Sequence, residues 1–145
     1  MLDAPTRKQV AEALSRLDGP ITLAVQPCEH PKQPELIALL AAVSDTSKHV
    51  HCVELGDPSP IPRVHIHTDQ GATGVSFTGI PGGHEFSSLI LAILNANGKG
   101  KLPDAIFLDR IQALRHPRAL RTFVSLSCAT CPVVVQALIM IAIQN

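Results

Sequence analysis

The order of the apolar segments constrains the fold of this chain more than any other feature of its sequence. A leading amphipathic stretch, residues 2–17, predicts a helix because its apolar residues recur at helical spacing. The segments that follow predict a strand, a helix, three strands and a helix, at residues 21–25, 35–43, 49–55, 64–68, 74–78 and 85–95. Strands joined by a helix should be parallel, and strands joined by a short turn should be antiparallel. The segments therefore predict a mixed sheet.

A mixed four-stranded sheet built in this order is the thioredoxin arrangement. That fold normally has a proline just before its third strand, and Pro62 occupies this position. After a predicted helix at 104–114, the pattern starts again with a predicted strand at 120–126 and a very apolar predicted helix at 133–143. We therefore predict an α/β, thioredoxin-like fold with one complete unit plus the first strand and helix of a second unit. The predicted division is 1–98 for the first unit, 99–118 for a linker and helix, and 119–145 for the start of the second unit.

The composition indicates one compact domain and argues against two classes of function. The chain has 145 residues, 46% of them hydrophobic, which is enough for a single core. Its 12 Lys and Arg residues balance 12 Asp and Glu residues, so no basic surplus supports nucleic-acid binding. The N-terminus lacks the basic and apolar regions of a secretory signal, and no apolar run reaches the roughly 18 residues of a membrane span. We expect a cytoplasmic protein.

Two cysteines near the end of the chain carry the predicted chemistry. Cys128 and Cys131 lie between the predicted strand 120–126 and the last predicted helix. A thiolate at a helix start meets unpaired backbone N–H groups and the positive end of the helix dipole, and both favour the nucleophilic anion. Two intervening residues let the sulfurs bond, and Pro132 suits a helix start because its missing N–H costs little there. We predict a redox pair with Cys128 as the exposed attacking thiol and Cys131 as the buried resolving thiol.

Half of a zinc site is the alternative interpretation of this cysteine pair. Zinc would need two more ligands, as in a second CxxC motif or a pair of histidines. Cys28 and Cys52 are not spaced in that way. A CxxC motif between an apolar strand and a helix, followed by proline, is instead typical of redox use. We therefore expect no metal at Cys128 and Cys131.

Three segments of the chain resemble one protein family. The segment SLSCATCPVVVQAL is similar to the active-site segment in the N-terminal domain of the F subunit of alkyl hydroperoxide reductase. GGHEFSSLILAIL resembles a helix in the first unit of that domain, and the opening MLDAPTRKQV resembles the start of the same polypeptide. The similarity extends over residues 1–143. In this family two thioredoxin-like units are fused in tandem, and only the second keeps its CxxC motif.

The resemblance implies a dithiol that relays electrons in a peroxide-reducing system. In the family, the N-terminal domain takes electrons from a flavin-dependent C-terminal part, fed by a nicotinamide cofactor, and passes them to a partner peroxiredoxin. The implied partners of this chain are thus a peroxiredoxin subunit and a flavin-dependent reductase part. The resemblance implies no cofactor in this chain beyond the redox-active disulfide, with FAD and NADH expected in the C-terminal part of the family.

The sequence departs from the family pattern because it ends inside the second unit and lacks the flavin and nicotinamide domains. A helix as apolar as 133–143 must be buried on more than one side. A lone strand at 120–126 would leave backbone groups unpaired along its edges. We therefore expect that residues after about 100 are disordered or repacked on the first unit, or that two chains form a homodimer through the last strand and helix.

Glu85 is the third candidate residue for the active site. It follows Gly82-Gly83-His84 at a predicted helix start, where the helix dipole favours a carboxylate that takes no part in chemistry. The resemblance implies more, because in the family a glutamate of this segment faces the dithiol and can assist proton transfer. Both interpretations of Glu85 remain open at this stage.

The other two cysteines favour structural interpretations. Cys28 lies where a thioredoxin places its active-site motif, but Pro31 occupies the position of the second cysteine. We therefore interpret Cys28 as an incidental thiol. We interpret Cys52, which lies in a predicted strand, as a small buried hydrophobe.

Four histidines lie in pairs on two of the predicted strands. Alternation places His49 and His51 on one strand face, and His65 and His67 on a face of another strand. A metal site would be possible if the two faces met. We interpret them as solvated instead, because no carboxylate or supporting pattern favours a metal.

Three classes of function agree with the sequence, and one of them is a small metal-binding protein. The first is a dithiol–disulfide relay in a peroxide-reducing system. The alternative is a non-catalytic docking module whose dithiol is idle because the second unit is incomplete.

Overall fold

The computed structural model describes residues 2–145 and contains five α-helices and four strands. The helices are α1 (Ala4–Leu14), α2 (Gln33–Ser44), α3 (Phe86–Ala96), α4 (Ala105–Gln112) and α5 (Cys131–Gln144). The strands are β1 (Ile21–Val25), β2 (Val50–Glu54), β3 (Arg63–Thr68) and β4 (Gly71–Thr78). A short 3-10 helix, Gly83–Glu85, leads directly into α3.

The four strands form one sheet in the order β2-β1-β3-β4. β1 is parallel to β2, with Leu23 opposite Cys52, and antiparallel to β3, with Leu23 opposite Ile66. β3 and β4 are antiparallel. This topology confirms the predicted mixed sheet, and Pro62 directly precedes β3 as expected.

One apolar core lies between one face of the sheet and the helices. Alternation along β3 decides which side chains reach it, because Val64 and Ile66 are fully buried whereas His65 and His67 are only half-buried. The largest fully buried side chains of the core include Leu14, Leu23, Leu36, Leu40, Ile66, Leu89 and Ile93. Full burial of one such side chain stabilises the fold by about 1.5–3 kcal/mol.

The first helix is shorter than the sequence predicts. It begins at Ala4 rather than at Leu2, because Asp3 caps it by accepting the Thr6 N–H at 2.8 Å, and Pro5 lies in its first turn as predicted. It ends at Leu14, however, because the Ser15 hydroxyl donates to the Glu12 carbonyl at 2.7 Å and competes with the helical backbone.

The end of α3 joins two loops at one side of the first unit. Asn97 stops the helix as predicted, and its side chain reaches the loop before β1, where it accepts the Asp18 N–H at 3.1 Å and donates to the Gly19 carbonyl at 3.3 Å. Lys99 also pairs with the carboxylate of Asp18. The hydrogen bond from Lys99 lowers the pKa of Asp18 below its ordinary value.

The predicted strand at 120–126 is wrong. Residues 113–130 form no strand or helix, and residues 120–126 are exposed. A strand requires ladder hydrogen bonds from a neighbour, and within the described residues no strand lies beside this segment. The apolar alternation of the sequence is present, but the pairing that would turn it into a strand is not.

The last helix is present and packs on the first unit. α5 contacts α3, β4, the 3-10 helix and α4, and Ile139 on α5 belongs to the main core. Its other side remains open, with Val133 70% and Val134 55% exposed. α5 is therefore a regular helix packed against the first unit, and the expected homodimer through it stays a prediction. Within residues 2–145, no helix is long and apolar enough to span a membrane.

Candidate active site

Cys128 and Cys131 form a disulfide across the start of α5. Their Cα atoms are 5.5 Å apart, a normal separation for a disulfide. Cys131 is the first residue of α5 and Pro132 lies in its first turn, as the sequence predicts. Pro132 needs no N–H partner, so it begins the helix without leaving a donor unpaired.

The sulfur of Cys128 occupies the place of a helix cap. It accepts the backbone N–H of Cys131 at 3.2 Å, and the Thr130 hydroxyl lies 3.7 Å away. The Thr130 side chain makes no capping hydrogen bond to the helix, so the sulfur is the group that meets this free N–H. Donors aimed at a sulfur stabilise its anion, and this geometry therefore favours a thiolate at Cys128 when the disulfide is open.

The predicted difference in burial between the two cysteines is not observed. Both Cys128 and Cys131 are half-buried. Cys131 should be the buried partner, but the start of α5 leaves Val133 and Val134 open to solvent. The roles of the two thiols therefore depend on the hydrogen bonds to Cys128 rather than on burial.

A close backbone contact positions the segment that leads into the disulfide. The His84 N–H donates to the Leu126 carbonyl at 3.2 Å, and Cys128 follows two residues later. Gly83 has a positive φ of 53°, and a Cβ added there would lie 2.7 Å from the same Leu126 oxygen. Only glycine permits this approach, both because of its backbone conformation and because of the space.

Replacing Gly83 with alanine should displace the Leu126 segment and change the reactivity of the disulfide. We expect faster amide hydrogen exchange at residues 126–128 and a destabilisation of about 1 kcal/mol or more from the left-handed backbone alone. Gly82→Ala is the matched control, because a Cβ at Gly82 meets no atom within 4 Å. Equal exchange rates in the two variants would contradict the positioning role of Gly83.

Glu85 lies in the 3-10 helix beside this contact and is 3% exposed. The sequence predicts it at the start of a regular helix, and the structure places it one residue before α3. Both of its carboxylate oxygens are buried without a hydrogen-bond partner among the described residues, as is the hydroxyl of Ser88. Residues three apart in a helical turn share a face, so Glu85 and Ser88 lie on the same side of this turn. A buried carboxyl group without a hydrogen-bond partner is unusual in a folded protein.

The sequence did not reveal several residues around the site. Leu126 contributes only its carbonyl oxygen, Thr130 its hydroxyl, and Gln136, the one polar side chain in residues 133–143, approaches the Ser87 hydroxyl at 3.5 Å. A lone glutamine in an apolar helix is a usable signal for Gln136. No sequence signal identifies a backbone carbonyl such as that of Leu126.

The two remaining cysteines are free and half-buried. Cys52 packs against the core, and burial raises the pKa of its thiol, which disfavours the reactive anion. Cys28 accepts the His30 N–H at 3.4 Å and lines an open cleft of about 630 Å³ with Pro58 and Ser59. The structure brings neither of these cysteines into a disulfide with the pair at α5.

Within residues 2–145, no group of three or more His, Cys, Asp or Glu side chains has the geometry of a metal site.

Comparison with known proteins agrees with this fold. No protein-family model matches the chain. The chain is 34% identical over all of its 145 residues to the F subunit of alkyl hydroperoxide reductase from Staphylococcus epidermidis, and equally so to that of Staphylococcus aureus. It spans 28% of the length of these relatives. A domain of the Enterococcus faecalis protein, described as the NTD_N/C domain of alkylhydroperoxide reductase AhpF, superposes on the whole chain with a TM-score of 0.86 at 27% identity, and the match covers 76% of that domain.

The chain is thus similar in sequence and in structure to the N-terminal domain of the alkyl hydroperoxide reductase F subunit. A protein disulfide oxidoreductase from Aeropyrum pernix also superposes on 99% of the chain, with a TM-score of 0.79 at 18% identity and 69% of that protein covered. This second likeness supports the fold, which is thioredoxin-like as predicted. Because the match to the Enterococcus domain includes the whole chain, α5 belongs to the arrangement shared with that domain, and the expected repacking of this segment is not observed.

Proposed function

We propose that this chain performs thiol–disulfide exchange at Cys128 and Cys131 as a dithiol electron relay in a peroxide-reducing system. The observation that supports the proposal most directly is the disulfide at the start of α5, with the Cys131 N–H aimed at the Cys128 sulfur. Its relationship to the F subunit of alkyl hydroperoxide reductase supplies the peroxide-reducing context. We also propose a cytoplasmic location. In that reducing compartment a close cysteine pair is typically catalytic, which agrees with the proposed exchange.

The proposed exchange proceeds in two balanced steps. The Cys128 thiolate attacks one sulfur of a partner disulfide, which forms a mixed disulfide and releases the other partner sulfur as a thiolate. The Cys131 thiolate then attacks the Cys128 sulfur, which reforms the intrachain disulfide and releases the second partner thiolate. Two electrons pass to the partner, and two protons complete its thiols. A donor dithiol reverses these steps on this chain and restores Cys128 and Cys131.

We propose the peroxiredoxin subunit as the electron acceptor and a flavin-dependent reductase part as the electron donor. FAD and NADH would bind to that reductase part, and we propose no residue of this chain as a binding site for either. The proposed division of the chain remains 1–98 for the first unit, 99–118 for the linker and helix, and 119–145 for the start of the second unit. The helix in the middle segment is α4.

We assign proton transfer at the dithiol to Glu85. The 3-10 helix that holds Glu85 contacts α5, and the adjacent His84 N–H binds the segment before Cys128. A buried carboxyl group that has no other partner can take a proton from an attacking thiol or give one to a leaving thiolate. Ser88 adds a second polar group on the same side of this helical turn within the core.

Glu85→Gln should slow disulfide exchange by roughly tenfold or more without unfolding the first unit, because an amide keeps the shape of the side chain but cannot carry the proton. The measurement is the pH–rate profile of the reaction with a small disulfide, alongside thermal unfolding. Glu12→Gln, on the exposed side of α1, is the matched control. A pH–rate profile identical to that of the unaltered chain would remove Glu85 from the mechanism.

A thiol titration tests the function itself. Mild reduction should release two thiols that mass spectrometry assigns to Cys128 and Cys131, and the reduced pair should then reduce an added protein disulfide. Release of both thiols without any exchange would favour the alternative, a docking module with an idle dithiol. A docking module would use exposed apolar side chains such as that of Phe123, which precedes Cys128 by five residues and is 92% exposed.

We also propose that two copies of the chain form a homodimer. Its surface would be the open side of α5 with the exposed apolar side chains of residues 120–126. Because residues 120–126 form no strand, such a dimer would depend on packing of side chains rather than on pairing of strand edges.

A further inference from the structure

Two histidines of β3 point away from the core on the same side of the sheet. His65 and His67 are separated by the fully buried Ile66, and their ring centroids lie 6.4 Å apart with the ring planes at 67°. Both imidazoles are half-buried on the face opposite the core. Solvent therefore reaches both rings on this face of the sheet.

The neighbours of the two imidazoles are small. On β1, His65 is opposite Ala24 and His67 is opposite Thr22. On β4, the corresponding neighbours are Ser76 and Ala72. None of these side chains carries a charge, and none is long enough to fill the space between the rings. The imidazoles can therefore rotate towards each other without a steric obstacle from these neighbours.

The polar side chains closest in sequence to His65 and His67 make hydrogen bonds to other groups. Arg63 donates through Nε to the Thr78 hydroxyl at 3.1 Å, and the Thr68 hydroxyl contacts the Gly71 carbonyl at 3.5 Å. Within the part of the chain that the structure describes, no side-chain hydrogen bond occupies either imidazole. Each ring therefore keeps a nitrogen lone pair available to a ligand.

We propose that His65 and His67 form a two-imidazole binding site for a late first-row divalent metal ion such as Ni²⁺, Cu²⁺ or Zn²⁺. Imidazole nitrogen is a preferred ligand for these ions and binds them at about 2.0–2.1 Å. Two rings that share one ion then have centroids about 5 Å apart, so the observed pair must close by about 1.4 Å. Small rotations of the side chains supply this closure, and water completes the coordination.

The charge of Arg63 acts on the proposed site. Burial, followed by the nearby charges of Arg63 and His67, lowers the pKa of His65 below its ordinary value. The guanidinium of Arg63 also repels a bound cation, and it therefore weakens the site without removing its ligands.

Calorimetric titration of the full chain with Ni²⁺ tests the site, with the Cys128–Cys131 disulfide kept oxidised. We expect one ion per chain, and His65→Ala or His67→Ala should each weaken binding at least tenfold. His51→Ala is the matched control, since His51 is an exposed histidine of β2, and it should change the affinity by less than twofold. Arg63→Gln should tighten binding because it removes the repulsion.

A second measurement keeps the test independent of folding. In the unaltered chain, paramagnetic Ni²⁺ should broaden the imidazole proton signals of His65 and His67 before those of the other five histidines. Absence of binding, broadening that begins at other histidines, or an equal loss of affinity in His51→Ala would overturn the assignment. The result is separable from disulfide exchange, because the site shares no residue with Cys128, Cys131 or Glu85.

Discussion

Replacing Cys128 with serine should abolish disulfide exchange. Cys128 is the sulfur that receives the Cys131 N–H, so it is the thiol whose anion the start of α5 stabilises. A serine hydroxyl in its place is a poor nucleophile without an activating base. The expected rate with a protein disulfide is indistinguishable from that of buffer, measured by release of thiols from the acceptor.

Cys131→Ser should give the complementary result. The first attack still occurs at Cys128, but no neighbouring thiol remains to resolve the mixed disulfide. The chain should therefore accumulate as a covalent adduct with its acceptor, visible by non-reducing electrophoresis. Cys28→Ser and Cys52→Ser are the controls, since both thiols are free in the structure and both variants should retain exchange. If Cys128→Ser trapped the adduct and Cys131→Ser did not, the roles of the two cysteines would be reversed.

Leu89→Ala should cause the largest loss of stability. Leu89 is fully buried on α3, the helix that packs on both β3 and α5. Truncation of a buried leucine removes its transfer free energy and leaves a cavity, which together cost about 2–5 kcal/mol. A domain of this kind is stable by only about 5–15 kcal/mol, so urea unfolding should show a much lower midpoint.

An exposed leucine provides the control for this substitution. Leu114→Ala makes the same chemical change at a residue that is 52% exposed beyond α4, and it should alter stability by no more than about 0.5 kcal/mol. Similar midpoints for the two variants would mean that α3 is not the centre of the core. Such a result would also weaken the view that the first unit supports α5.

Local signals made most of the first unit predictable. β1 is an apolar run between Pro20 and the proline-rich loop at Pro27, and its bounds agree with the prediction. The cysteine pair was equally predictable, because a CxxC motif at a helix start depends on a few adjacent residues. The bounds of α1 were not predictable. The Ser15 hydroxyl competes with the helical backbone, and the spacing of apolar residues gives no sign of this competition.

The errors concern properties that depend on distant parts of the chain. Residues 120–126 have the composition of a strand, but a strand exists only where another strand pairs with it. The burial of Cys131 likewise depends on what covers α5 and not on its own sequence. The close approach of Gly83 to Leu126 joins residues that are far apart along the chain, and only the folded structure brings them together.

The exposed segment between α4 and α5 has a consequence for how the chain is cut by proteases. Residues 113–127 contain no helix or strand and include three exposed arginines, Arg115, Arg118 and Arg121, where trypsin-like enzymes cleave. Accessible backbone without regular structure is the form in which a protease binds its substrate. A cut there would separate the peptide that carries Cys128 and Cys131 from the first unit. That peptide would then be retained mainly by the packing of α5 on α3 and β4, so the disulfide would leave the fold without the unfolding of any core strand.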